Sequence, residues 1–220
     1  VYKAREEEPN TYNFYESDME ASINKRLNMN YELKIAIEQQ QFELYYQPKV
    51  DLATNQFVGA EALIRWRKGN TIISPNEFIP VAEESGLIIE IGRWALETAC
   101  ADCAKWQKDG LKGMTVAVNL SPLQFKRGNL PNHVFRALQK AKLDPSLLEL
   151  EITESLFIED TEHIESQIYL MVERGIYFAI DDFGTGYSNL NYLSKFNAST
   201  LKIDMSFVQG IAGNLQLQHI

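Results

Sequence analysis

From Phe42 onward the chain alternates short, nearly unbroken apolar runs with helix-prone segments. Strands buried on both faces read as continuous apolar runs, and the helices between them supply the cover. The alternation therefore predicts an α/β fold on a largely parallel sheet, either a barrel or a doubly wound sheet. Strands are expected at 42–50, 56–66, 114–120, 147–153, 176–181 and 198–204. The first two are separated only by a turn at 51–55, close enough to pair as an antiparallel hairpin. Ser74 as N-cap, with Pro75 at the first helical position, starts a helix. Further helices are predicted over 88–109, 132–141, 161–174 and 188–195, with Gly175 closing the third of these. Residues 1–30 read differently. Val1–Glu6 resembles a helix end, Thr11–Tyr15 alternates like a short strand, and 16–30 is polar and helix-prone. A helix end plus one strand cannot make a core, so 1–30 is expected to be the tail of an upstream domain and a linker helix. The helix continues over 31–40 into a domain occupying 31–220.

The later strands share a second feature: each is apolar until its last residues and then turns polar. Val116-Ala117-Val118 leads to Asn119, Leu148-Glu149-Leu150 to Glu151 and then Thr153-Glu154, Phe178-Ala179-Ile180 to Asp181 and Asp182, and Thr200-Leu201 to Lys202 and Asp204. In a parallel barrel the C-terminal strand ends share one face, where active sites sit. Glu61 adds a carboxylate within an apolar stretch of the second strand and must be solvated or paired. Adjacent carboxylates such as Asp181 and Asp182 repel unless a cation or a hydrogen-bond cage offsets them. The glycines of Phe183-Gly184-Thr185-Gly186 suit a sharp turn where backbone approaches a ligand. Singly, each residue has an ordinary explanation: a half-exposed strand position, a loop cap, an ion pair. Together they form a set of oxygen donors of the kind that hard divalent cations such as Mg²⁺ and Mn²⁺ prefer. Two such ions can activate a water and clamp a phosphodiester. Lys202 is placed to orient that water or balance phosphate charge, and Arg65 to hold a phosphate oxygen.

Composition removes other classes. A net charge of −9 argues against binding a nucleic acid polymer, which needs a positive surface. Cys100 and Cys103 have no second pair and no turn between them, so they read as core thiols of one helix face, which points to a reducing compartment. His133, His163 and His219 lack metal-ligand spacing and are assigned to the surface. No apolar run approaches a membrane span, and any membrane attachment is expected outside these residues.

The motifs themselves resemble a known family. Glu61-Ala62-Leu63 with Ile64-Arg65-Trp66 resembles the signature of the EAL family of cyclic di-GMP phosphodiesterases. So do Tyr46-Gln47-Pro48, Phe78-Ile79-Pro80-Val81-Ala82-Glu83, Val118-Asn119-Leu120-Ser121, Glu151-Ile152-Thr153-Glu154, the Asp181–Gly186 stretch and Leu201-Lys202-Ile203-Asp204. The resemblance implies a modified TIM (β/α)8 barrel with one antiparallel strand. It implies an enzyme that converts cyclic di-GMP to linear pGpG with two Mg²⁺ or Mn²⁺ ions, Ca²⁺ being inhibitory. The alternative is an inactive cyclic di-GMP receptor or regulatory module. It assigns Glu61, Asn119, Glu151 and Asp181 to one metal and Asp181 and Asp182 to a second. Lys202 contacts the attacking water, and Glu154 steadies the loop after Asp182. Gln47, Leu63, Arg65, Pro80 and Asp204 are substrate contacts. The opening residues resemble the end of a GGDEF diguanylate-cyclase-type domain, so a tandem protein is expected, homodimeric through the EAL domain. It would be cytoplasmic, or held at the cytoplasmic face of the inner membrane. Counted from Phe42, six strands are predicted where such a barrel has eight. The chain is therefore expected to be a fragment, prone to associate through open edges and weakly active until extended.

Overall fold

The computed structural model describes residues 17–154, 156, 161–184 and 198–210. The expected strand at 11–15, the helix at 188–195, His219 and most of the Gly184–Gly186 turn lie outside these residues. Helix α1 (Ser17–Glu38) leads into β1 (Phe42–Asp51), β2 (Gln56–Lys68) and β3 (Thr71–Ile73). Then follow α2 (Pro75–Ser85), α3 (Ile88–Lys108), β4 (Thr115–Asn119), α4 (Pro122–Arg127) and α5 (Leu130–Ala141). The described chain continues with β5 (Leu148–Thr153), α6 (Thr161–Val172), β6 (Tyr177–Phe183), β7 (Thr200–Ile203) and α7 (Met205–Gly210). The sheet runs β1-β2-β4-β5-β6-β7, with β3 added to β2. β1 and β3 pair antiparallel with β2, and the remaining pairs are parallel.

The choice between barrel and doubly wound sheet is settled by contacts across the sheet. Lys49 of β1 reaches Glu149 and Glu151 of β5, and Lys202 of β7 reaches Glu61 of β2. Strands that far apart in the order touch only if the sheet curls into a barrel wall. The outer face carries Val116, Val118, Leu148, Leu150, Ile152, Phe178 and Ile180, packed in one core with α3, α5 and α6. A second core joins Leu33 and Ala36 of α1 to Phe42, Trp66, Phe78 and Ile91. Trp66 is fully buried, its rim meets Phe78 edge-on at 5.8 Å between centroids, and its indole N–H donates to Gln41 Oε1 at 3.0 Å. The buried ring thus has its polar group satisfied.

Several boundaries differ from expectation for local reasons. The helix expected to continue across residue 30 does so as α1 and ends at Glu38, two residues early, with the 30/31 domain boundary inside it. Three short elements are additional: β3, α4 and α7. α4 is started by a capping box, in which Ser121 and Gln124 exchange side-chain and backbone hydrogen bonds, with Pro122 at the first turn. α5 begins two residues early because Pro131 fits its first turn. β6 does not stop at Asp181 but runs through Asp182 to Phe183. Its register with β7 breaks between Ile180 and Phe183, and Asp182 has a positive φ of 54°. The Asp pair therefore lies in a strand-end irregularity, not in the loop beyond it.

Candidate active site

Strand side chains alternate between faces, so the register fixes what shares the inner wall. Glu61 lies opposite Ala117, Asn119 opposite Glu151, and Thr153 opposite Asp181. Small residues, Ala117 and Ala179, occupy neighbouring inner positions and leave room for long polar side chains. Gly59 lets β2 approach β4 closely: a Cβ there would lie 2.3 Å from Thr115 Oγ1 and 2.8 Å from its carbonyl oxygen.

At this rim Lys202 Nζ donates to three carboxylates, Glu61 Oε2 at 3.1 Å, Glu151 Oε2 at 2.5 Å and Asp181 Oδ2 at 2.8 Å. Asn119 Nδ2 donates to the other Glu61 oxygen at 2.7 Å. Oxygens of Glu61, Glu151 and Asp181 all lie within 4.8 Å of one another. Glu151 is 1% exposed, and burial raises its pKa against the opposing pull of Lys202 and Lys49. Burial also works to lower Lys202, but its hydrogen bonds to Asp181 and Glu151 outweigh this and hold the ammonium above the ordinary lysine range. Asp182 is raised by burial and then by the charges of Asp181 and Asp204. The donor set is all hard oxygen, and an ammonium already sits among the three carboxylates, so the cluster fits a divalent cation such as Mg²⁺ or Mn²⁺.

Beside the rim lies a cavity of about 580 Å³. Its lining includes Leu63 and Arg65 of β2, Ile79 and Glu83 of α2, Asn119, and Asp182. Arg65 stacks over the Tyr45 ring at 5.6 Å and donates to the Ile64 carbonyl at 2.8 Å. An apolar wall beside one oriented guanidinium suits an organic anion.

The structure brings together Glu61, Asn119, Glu151, Asp181 and Lys202, and sets Asp182, Leu63 and Arg65 on the adjoining cavity. Lys202, expected to meet water, is held by carboxylates. Gln47 pairs with Glu61 across β1 and β2 but is exposed and does not line the cavity. Pro80 lines a separate hollow of about 300 Å³ with Lys25, Arg26 and Met29; α2 gives the cavity Ile79 instead. Asp204 caps α7, accepting from the Ser206 amide at 2.9 Å and from its hydroxyl. Glu154 has one carboxylate oxygen buried without a partner among the described residues, and the loop it was expected to steady lies outside them. Sequence reasoning missed Lys49, Glu149 and Thr200. Lys49 Nζ donates to Glu149 Oε1 at 2.5 Å and Glu151 Oε1 at 2.8 Å, and Thr200 Oγ1 donates to Glu149 Oε2 at 3.0 Å. The signal was available, since Glu149 and Glu151 are two apart in one strand and must share a face.

Residues 30–220 match the EAL domain family. The chain is 40% identical over 213 residues to the bifunctional diguanylate cyclase/cyclic di-GMP phosphodiesterase MucR of Pseudomonas aeruginosa, covering 96% of this chain and 31% of that protein. It thus spans under a third of that relative's length. The solved PaMucR phosphodiesterase in complex with c-di-GMP superposes with a TM-score of 0.82 at 39% identity, covering 87% of this chain and 78% of that one. The EAL enzyme Bd1971, bound to cAMP and cyclic di-GMP, gives a TM-score of 0.84 at 30% identity over 90% of this chain and 55% of that one. Among the described residues no helix is long and apolar enough to cross a membrane.

Proposed function

The chain belongs to the EAL-domain family, and from that premise we propose that it hydrolyses cyclic di-GMP to linear pGpG with two divalent ions, Mg²⁺ or Mn²⁺. The observation that carries the reading is the Lys202 ammonium held among Glu61, Glu151 and Asp181, next to a ligand-sized cavity whose lining includes Asn119 and Asp182. Glu61, Asn119, Glu151 and Asp181 would hold one ion, and Asp181 and Asp182 the second. When bound, such ions lower the pKa of a water and neutralise phosphodiester charge.

The chain's own residues do the rest. Arg65, preorganised by Tyr45 and by its own backbone, holds a phosphate oxygen, while Leu63 and Ile79 give the base or ribose an apolar wall. Before ions arrive, the carboxylate partners of Lys202 hold it protonated. With those carboxylates engaged by divalent ions, Lys202 would be free to donate a hydrogen bond that orients the attacking water. Water adds to phosphorus, the bond from phosphorus to the 3′ oxygen breaks, and that oxygen leaves with a proton, giving a 5′-phosphorylated linear dinucleotide.

The reading carries with it a cytoplasmic location for this domain, a homodimer through it, and a GGDEF-like domain upstream in cis. Incubation with cyclic di-GMP and Mg²⁺, followed by chromatography for pGpG, tests it. Appearance of pGpG that EDTA abolishes is expected, whereas tight binding without product would make the protein a receptor instead.

A further inference from the structure

Lys202 has a role in the proposed reaction, but a second ammonium in the barrel wall has none. Lys49 lies on β1 with its side chain 27% exposed and touches Glu149 and Glu151, which are 14% and 0% exposed. Glu151 is thereby split, one oxygen to each lysine: Oε1 to Lys49 at 2.8 Å and Oε2 to Lys202 at 2.5 Å. Glu149 precedes Glu151 by two residues on the same face of β5, further from the strand end, where Asn119 pairs with Glu151. Its second oxygen is taken by Thr200 at 3.0 Å. Among the described residues of this wall, Glu61, Glu149, Glu151 and Asp181 are ion-paired with Lys49 and Lys202, which leaves an excess of two negative charges.

We propose that Lys49 is a positioning residue that permanently fills the deep cation position between Glu149 and Glu151, so that divalent ions bind only at the rim. This rests on the metal-dependent reading above. Two carboxylates on one strand face in a low-dielectric wall attract whatever cation can reach them. A covalently tethered ammonium cannot leave, and it occupies both inner oxygens. The two lysines differ in what they touch. Lys202 contacts all three rim carboxylates, so ions arriving there displace it. Lys49 contacts one rim carboxylate and, through Glu149, a partner outside the rim set, so ions at the rim leave it in place.

Metal-stripped full-length protein is titrated calorimetrically with Mn²⁺, and pGpG formation is followed in parallel, for the wild type, Lys49→Met and the charge-balanced Lys49→Met/Glu149→Gln. Lys49→Met is expected to bind one further Mn²⁺ per protomer. Its turnover should fall roughly tenfold or more with little change in KM, the scale seen when an outer-shell partner is lost. The double variant has no deep carboxylate pair and should return to the wild-type Mn²⁺ count with turnover largely recovered. A merely structural lysine would lower Tm and leave the Mn²⁺ count of Lys49→Met at the wild-type value, which overturns the proposal. If Lys49→Met does not fold, the double variant decides: wild-type count with recovered turnover supports the assignment, and wild-type count without turnover overturns it. A wild type that binds no Mn²⁺ overturns the metal-dependent reading itself, whereas a competent wild type with an unchanged Lys49→Met overturns only this inference.

Discussion

Lys202→Met separates what the rim lysine does for stability from what it does for chemistry. In the ion-free protein, Lys202 is the ammonium shared by Glu61, Glu151 and Asp181, whose side chains are 15%, 0% and 21% exposed. Breaking a buried ion pair by removing one partner costs about 3–5 kcal/mol. Two of the three carboxylates keep some contact with solvent, so the lower end, about 3 kcal/mol, is expected. For a domain of this size that corresponds to a fall in Tm of roughly 6–12 °C. Saturating Mg²⁺ changes the comparison, because positive charge then reaches the same three carboxylates in both proteins and the variant has no competing ammonium. The gap in Tm should shrink to less than half in Mg²⁺, while turnover stays depressed by roughly 10²–10³-fold, the loss typical of one oriented donor. Melting followed by circular dichroism, in EDTA and in Mg²⁺, together with a pGpG assay, measures both. An equal gap in EDTA and in Mg²⁺ would refute the reasoning, since the lysine would then be satisfying something that ions do not replace.

Asp181→Asn keeps the shape and an acceptor for Lys202 but removes a carboxylate from both proposed ion sites; turnover should fall by at least about 100-fold with circular dichroism unchanged. Wild-type-like hydrolysis by that variant would remove the metal assignment. Ca²⁺ should bind in calorimetry yet support little pGpG formation, because its longer and looser coordination sets water and phosphate out of line; equal rates in Ca²⁺ and Mg²⁺ would count against the mechanism. His133 is held below the ordinary histidine range by burial and then by the charges of Arg93 and Arg136. A depressed pKa means that the unfolded chain binds the proton more readily, so this stability is present above the ordinary range and is lost as pH falls through the folded value. His133→Gln should therefore flatten the acid side of the stability profile measured by denaturant unfolding, and an unchanged slope would show that the group does not contribute.

Most of the wall was legible because strand signals are local. Asn119, Glu151 and Asp181 each sit where an apolar run turns polar, and one structural rule, that parallel strands end on one face, gathers them; Glu61 stands out as a lone carboxylate inside an apolar stretch. The differences lie where the local signal is short, silent or absent. Ser121-Pro122 opens α4 with the same pattern as Ser74-Pro75, yet the helix is only six residues long and carries no periodicity to find. The extension of β6 past the Asp pair depends on Asp182 adopting a positive φ, which an Asp tolerates but does not announce. Pro80 and Ile79 are neighbours on α2, and which of them faces the cavity follows from how α2 packs against α1 and β2, information that no local pattern holds.

Lys49 was illegible for a different reason. Its partners are 100 and 102 residues away, on a strand three positions across the sheet order. Whether an inward lysine on β1 meets those glutamates depends on the curl of the whole wall, a property of the curved sheet rather than of any strand. The same curl explains how the protein tolerates so much charge inside. Helix packing against the outer face supplies the apolar burial, through Leu148, Leu150, Phe178 and their neighbours. The inner face is thereby released from that task and is lined with glycine and alanine at the positions between the charges. Carboxylates placed there would unfold a sheet with helices on both faces, because neither side could spare the burial. In a curled wall they cost little as long as each finds a cation, and Lys49 supplies it deep in the wall while Lys202 supplies it at the rim when divalent ions are absent.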